Sequence, residues 1–108
     1  MEERAYSVLQ KNFVVLKSSN MDPAWLAGKL LAAGIIGLTE HQRACNSAEI
    51  AEDRLGKLIE NVMRSGAPDV FQTFVTILLC TDHVKYLGQK LKCTHDFRHL
   101  YSYTEVLI

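Results

Sequence analysis

The sequence predicts an all-α protein, a six-helix antiparallel bundle in one domain. Apolar residues recur every three or four positions along most of the chain, which is the period of an amphipathic helix. No stretch alternates apolar and polar residues between hairpin turns, as a half-buried strand would. Capping residues, prolines and glycines divide the periodic region into short segments, and 108 residues suit one domain. The predicted helices cover residues 2–19, 22–33, 40–45, 47–65, 68–81 and 83–91.

The first three helices follow from their apolar faces and their ends. Tyr6 and Phe13 belong to one helical stripe, and the β-prone run that begins at Phe13 stays in that period, so it is predicted as helix. Asp22, followed by proline, is a typical N-cap for the second helix. Gly34 is suited to end that helix in a left-handed conformation. Thr39, with glutamine three residues later, predicts a capping box for the third helix.

The last three helices are marked in the same way. Asn46, with glutamate three residues later, predicts another capping box, and Gly66 ends the fourth helix. Pro68 is placed in the first turn of the fifth helix. Phe71 and Phe74 are expected to carry large apolar areas into the centre, each stabilising the fold by a few kcal/mol at about 25 cal/mol per Å².

The two ends of the chain differ in character. Residues 1–91 form the predicted bundle, whereas residues 92–108 have no clean helical period and are predicted to be a tail beyond it. The tail either packs on the bundle or is mobile.

Three stretches of the chain carry recognisable motifs. Residues 9–16 read LQKNFVVL, residues 30–40 read LLAAGIIGLTE, and residues 54–74 read RLGKLIENVMRSGAPDVFQTF. They resemble the opening L-x-K-N-R-x-x-L, the Leu-Leu to Gly-Ile-Leu-Thr turn and the K-x-L-I-D-x-L-x-x-K-G-x-x-A-F-x-x-F segment of caspase recruitment domains, a branch of the death-fold superfamily. The matches occur in that family's order and spacing and together span about residues 5–91. As an ordered set they fit this branch better than the death, death-effector or pyrin branches.

The resemblance implies a Greek-key death fold that docks through charged faces. Its basic face, from the first and fourth helices, would include Lys11, Arg54 and Lys57. Its acidic face, from the second and third helices, would include Asp22 and Glu40. An ordinary solvated surface is the alternative reading of each of these residues.

The chain departs from the family pattern on these faces. Phe13 stands where the family usually has arginine, Asp53 stands where some members are basic, and Gly28 and Lys29 replace a carboxylate in the middle of the second helix. We therefore expect apolar contacts to contribute more to docking. Charges at an interface rim mainly tune association rate and selectivity, so the weaker charge pattern would change which partner is preferred. Trp25 is a further docking candidate, since tryptophan is enriched in interface hot spots, or it lies at the edge of the core.

Composition and residue types argue against several other classes of protein. Twelve basic and twelve acidic residues give a formal net charge of zero, whereas a nucleic-acid binder usually carries a basic excess. The run Val70 to Cys80 is interrupted by polar residues and is shorter than the roughly 20 residues of a membrane span. No signal peptide and no paired cysteine spacing are seen, so a cytosolic location is expected.

Catalysis and metal binding are not expected, and neither is a cofactor. Cys80 is assigned to the apolar face of the fifth helix, and Cys45 to the end of a short one. Cys93, His95 and His99, with a further histidine upstream, have ligand atoms suited to zinc, but no fourth ligand is in register. We interpret this set as a polar tail.

The functional prediction is a homotypic interaction module and not an enzyme. The resemblance implies a partner with the same type of domain, an initiator caspase, an adaptor or an innate immune sensor, or a second copy of the chain. Assembly would then support apoptotic or inflammatory signalling. Alternatives are a stand-alone regulator that blocks such assembly, part of a longer protein, or a scaffold that accepts an amphipathic helix in a groove. A nucleic-acid binder would require a basic face that overall neutrality conceals.

Overall fold

The computed structural model describes residues 1–46 and 48–107, with side chains through Asp96. Over these ranges the chain forms helices and no strand, which confirms the all-α prediction. The seven α-helices of the described chain are α1 Glu3–Lys11, α2 Phe13–Lys17, α3 Pro23–Ala32, α4 Leu38–Asn46, α5 Ala51–Arg64, α6 Val70–Leu79 and α7 Lys85–Leu107. A 3₁₀ turn at Asp82–Val84 joins α6 to α7.

The first predicted helix divides into two at Asn12, which gives seven helices in place of six. Asn12 is buried, and both its backbone N–H and its Nδ2 donate to the carbonyl of Val8, at 3.1 and 2.8 Å. An asparagine side chain that bonds locally to the backbone competes with helix continuation, which is the reason for the break. The β-prone run from Phe13 is nevertheless helical, as predicted.

The turn between α3 and α4 follows the prediction at its glycine but not at its cap. Gly34 has a φ of 75°, the left-handed conformation expected of it. The predicted box at Thr39 does not form. Instead, Glu40 Oε2 accepts a hydrogen bond from the backbone N–H of Gly37 at 3.0 Å, so the capping interaction begins two residues earlier.

The starts of α5 and α6 differ from their predicted positions. Asn46 is the last residue of α4 and not a cap for α5, because α5 begins only at Ala51, with Ile50 at its N-cap position. Glu49, the expected partner in that capping box, pairs with Lys57. Likewise α6 begins at Val70 and not at Pro68. Asp69 has a φ of 53°, and this left-handed residue separates the proline from the helix.

The last helix does not end near Leu91 but continues to Leu107. His95, beyond the predicted end, lies against the bundle, with its ring centroid 5.0 Å from that of Phe71. A helical period was not visible there because polar residues predominate between Leu91 and Phe97. His99 and the other side chains after Asp96 lie outside the described side chains.

Neighbouring helices run antiparallel where side-chain contacts define their direction. Ser18, just past α2, donates to Glu52 in the first turn of α5 at 3.1 Å, and the ring of Phe13 packs farther along α5 against Gly56. In the other pair, Gly88 of α7 adjoins the end of α6, whereas His95 adjoins its start. The chain therefore folds back on itself in both pairs.

A continuous apolar core fills the space between the helices. Phe74 of α6 is completely buried at its centre, whereas Phe71 is only partly buried and lies at its edge. The expectation that both rings reach the centre is therefore correct for Phe74 alone. Other fully buried members are Leu9, Leu16, Leu26, Leu30, Leu58, Ile59, Leu78 and Leu87.

Candidate interaction surfaces

A groove of about 810 Å³ runs between α4 and α5 on the outside of the bundle. Three of the predicted docking residues, Glu40, Arg54 and Lys57, line it together. Its lining also includes Arg43, Glu49, Glu60 and Arg64, so acidic and basic side chains alternate along it. The structure thus places residues that were predicted for opposite faces in one groove of mixed charge.

Arg54 is the most constrained of these three side chains. Its Nη1 donates to the carbonyl of Ala44 at 2.9 Å, which ties α5 to the last part of α4. Its Nε is buried and has no hydrogen-bond partner within the described part of the chain. A guanidinium that is half-buried and bonded in this way shapes the groove more than it offers a free charge.

Lys57 and Glu40 are also engaged within the chain. Lys57 forms an ion pair with Glu49, although its side chain remains 64% exposed. Glu40 caps α4 through Gly37, as described above. Exposed ion pairs contribute only about 0–1 kcal/mol, so a partner can exchange the Glu49 contact of Lys57 at small cost.

Lys11 and Asp22 lie apart from this groove. Lys11 is exposed in the last turn of α1 and lines neither of the surface hollows described in this subsection. Asp22 is exposed and caps α3, where its Oδ1 accepts from the N–H of Ala24 at 3.0 Å, as the sequence predicted. The six candidate residues therefore do not form one continuous surface.

Trp25 sits at the margin of the core, between burial and exposure. Its ring packs against the apolar cluster, and its centroid lies 5.6 Å from that of His83 with the two planes tilted by 57°. Trp25 therefore lies at the edge of the core, and the part of its ring that remains accessible at the 3₁₀ turn is still available for docking.

A smaller hollow of about 260 Å³ between α1 and α5 was not predicted from the sequence. Tyr6, Phe13 and Met63 supply its apolar surface, and Tyr6 is 43% exposed. Gln10, Glu60 and Arg64 supply its polar rim. The sequence pattern assigns Tyr6 and Phe13 to one helical stripe. The polar residue Asn12, beside that stripe, is the feature of the sequence that indicates the break in the helix.

His95 links the last helix to the start of the chain. Its Nε2 donates to Glu2 Oε1 at 2.8 Å, and this hydrogen bond is the main cause that lowers the pKa of Glu2 below its ordinary value of 4.5.

Cys93 is exposed, and the side chain of His99 is not described. Among the described residues, no group of three or more His, Cys, Asp or Glu side chains is arranged to hold a metal ion.

Two further findings bear on the class of protein. None of the described helices combines the length and the apolar composition that a membrane crossing requires. Comparison with family models, curated proteins and solved structures found no match to this chain.

Proposed function

We propose that this chain is a homotypic protein-interaction domain of the caspase recruitment type, with a death-fold arrangement of its helices, and that it acts by binding and not by catalysis. Its partners would be domains of the same kind in an initiator caspase, an adaptor or an innate immune sensor, and it would act in the cytosol. Repeated asymmetric contacts between such domains build an open assembly. Gathering caspase precursors in that assembly raises their effective concentration and favours their mutual activation in apoptotic or inflammatory signalling.

The proposal rests on one observation, namely which motif residues are buried in the core and which lie on the surface of the bundle. Many apolar motif positions are buried, with Leu30, Ile35, Leu58 and Phe74 at 7% exposure or less, whereas Val14 and Leu38 are exposed. Among the charged positions, Arg54 is half-buried, whereas Lys57 lies in the groove between α4 and α5 with its side chain 64% exposed. The motifs are thus consistent with one core that presents charged outer faces for docking.

The lining of the α4–α5 groove favours docking by charged contacts over capture of an amphipathic helix. A helix-binding groove is apolar along its floor. Here Ala44 and Leu58 are the apolar lining residues, and the others are polar or charged. The same alternation of charges interrupts any basic surface that nucleic acid would require at this place.

The test is light scattering coupled to size exclusion at rising protein concentration, in buffer containing a chelator. We expect the average mass to rise with concentration and a Lys57→Glu variant to require a several-fold higher concentration for the same mass. Lys90→Glu, an exposed charge reversal on α7 outside the groove, is the matched control and should behave as the wild type. A strictly monomeric wild type that shows no binding to purified caspase recruitment domains would refute the proposal.

The same measurement separates an assembling domain from a blocking regulator. A blocker binds the end of a growing assembly but does not extend it. Added in small amounts to a partner domain that forms filaments, it would shorten them, whereas an assembling domain would be incorporated along their length.

A further inference from the structure

One pair of side chains on α4 has no role in the interaction surfaces described above. His41 and Cys45 are one helical turn apart, and Cys45 Sγ lies 3.8 Å from His41 Nε2. Both residues are partly exposed, and neither lines the α4–α5 groove. The pair therefore occupies a different face of α4.

The distance between these two atoms suits two ligands of one metal ion. Zinc binds thiolate sulfur at about 2.3 Å and imidazole nitrogen at about 2.0–2.1 Å, so a tetrahedral angle separates the two ligand atoms by about 3.6 Å. Closing the observed separation by about 0.2 Å requires only a small side-chain rotation. The two side chains on α4 thus stand at nearly the separation that two zinc ligands need.

The other two ligands are not found beside this pair among the side chains that the structure describes. A structural zinc site has four ligands, and the described residues provide no group of three. A second copy of the chain offers the same pair, and a two-fold axis through the metal brings the two pairs together as two sulfurs and two nitrogens.

Two features of the chain favour a second copy as the occupant of this face. Leu38 precedes His41 by three residues and Cys45 by seven, which places it on the same helical face, and it is 61% exposed. Pairing of two α4 helices would remove this leucine from water. The formal net charge of zero leaves no overall repulsion between copies.

We propose that His41 and Cys45 form half of a zinc site that a second copy completes, so that one zinc ion joins two chains through α4. Each thiol releases its proton to solvent when it binds, and the two thiolates balance the two positive charges of the ion. The two imidazoles bind as neutral ligands. This site is independent of the proposed function, since it uses another face of α4.

The test uses the full chain, reduced and freed of metal, at a protein concentration where the metal-free chain is monomeric, with zinc added stepwise during sedimentation or light-scattering measurements. We expect the mass to double and to saturate at one zinc ion for two chains, and we expect a chelator to reverse the change. Cys45→Ser and His41→Ala should each abolish the dimer, with helical circular dichroism confirming that the variants fold. Cys80→Ser and Cys93→Ser are the matched controls and should still form the dimer.

Cobalt in place of zinc provides a readout of the ligands themselves. Tetrahedral cobalt with thiolate ligands shows visible d–d bands and a near-ultraviolet sulfur-to-metal band, which should appear in the wild type and vanish in Cys45→Ser. Absence of both the bands and the dimer in the wild type would overturn the proposal. So would bands that persist in Cys45→Ser, or a dimer that reductant reverses and chelator does not, because that dimer would be a disulfide.

Discussion

Gly88 in α7 offers a direct test of how the last helix packs on the bundle. A Cβ placed on Gly88 would lie 3.0 Å from the backbone nitrogen of Leu79 and 3.1 Å from Cβ of Leu78. Neither atom can move away by a side-chain rotation. Gly28 in α3 is the matched control, because a Cβ there meets nothing within 4 Å.

The structure allows the effect of alanine at these two positions to be separated into two contributions. Alanine is favoured over glycine in a helix interior by about 0.8–1.0 kcal/mol, and this gain is common to both sites. Overpacking at a tight contact costs about 1–3 kcal/mol, and only Gly88 incurs it. Gly28→Ala should therefore raise the free energy of unfolding by about 1 kcal/mol, whereas Gly88→Ala should be about 1–3 kcal/mol less stable than Gly28→Ala.

Urea denaturation followed by circular dichroism measures this difference. With a urea dependence of about 1–3 kcal/mol per molar, the two midpoints should differ by about 1 M. Equal midpoints for the two variants would refute the close approach of α7 to the end of α6. They would also undermine the antiparallel packing of these two helices.

Three further predictions concern the groove, the core and the link between the chain start and α7. Arg54→Ala should lower the free energy of unfolding by about 1 kcal/mol in urea denaturation, because loss of the donor to Ala44 outweighs release of the unpartnered Nε. Phe74→Ala should lower it by about 3–5 kcal/mol, with a lower melting temperature, because it opens a cavity in a fully buried site. His95→Ala should raise the pKa of Glu2 towards 4.5 in a carbon-detected NMR titration, because the hydrogen bond that lowers it is lost.

Each of these three has a control or a sign that can contradict it. Arg43→Ala, an exposed residue of the same groove, and Val14→Ala, at 64% exposure, should change stability by less than about 0.5 kcal/mol. Because the pKa of Glu2 is lowered in the folded protein, Glu2 contributes to the free energy of unfolding above about pH 4.5. This contribution is lost as the pH falls through the pKa of Glu2 in the folded protein. Glu2 is exposed, so its contribution to stability is below about 1 kcal/mol. If the pKa of Glu2 were the same in His95→Ala as in the wild type, the hydrogen bond between Glu2 and His95 would be contradicted.

The helical fold was predictable because a single physical signal, the burial of one stripe on each helix, dominates the sequence. Leu58 and Phe74 follow that period, and both are buried as expected. The predicted helix ends were less accurate where side chains compete for the same backbone group. Asn12 takes the carbonyl of Val8, and Glu40 takes the N–H of Gly37, and no periodicity in the sequence distinguishes these outcomes.

The surfaces were less predictable than the core because they depend on how distant segments meet. Lys57 is paired with Glu49 across the start of α5, and Arg54 is turned towards Ala44, so neither residue is a simple free charge. The hollow at Tyr6 lies where the break between α1 and α2 at Asn12 meets α5. The contact between His41 and Cys45 is different, because a spacing of four residues on one helix could have been noticed from the sequence alone.

The contacts of His95 have a practical consequence for designing expression boundaries. A protein cut after Leu91 would lose the imidazole that covers Phe71, exposing an aromatic ring to solvent. Glu2 would lose its bonding partner in the same step. A fusion tag joined to Met1 would sit directly beside this last helix, so a tag at the N-terminus and a shortened C-terminus would disturb the same corner of the molecule.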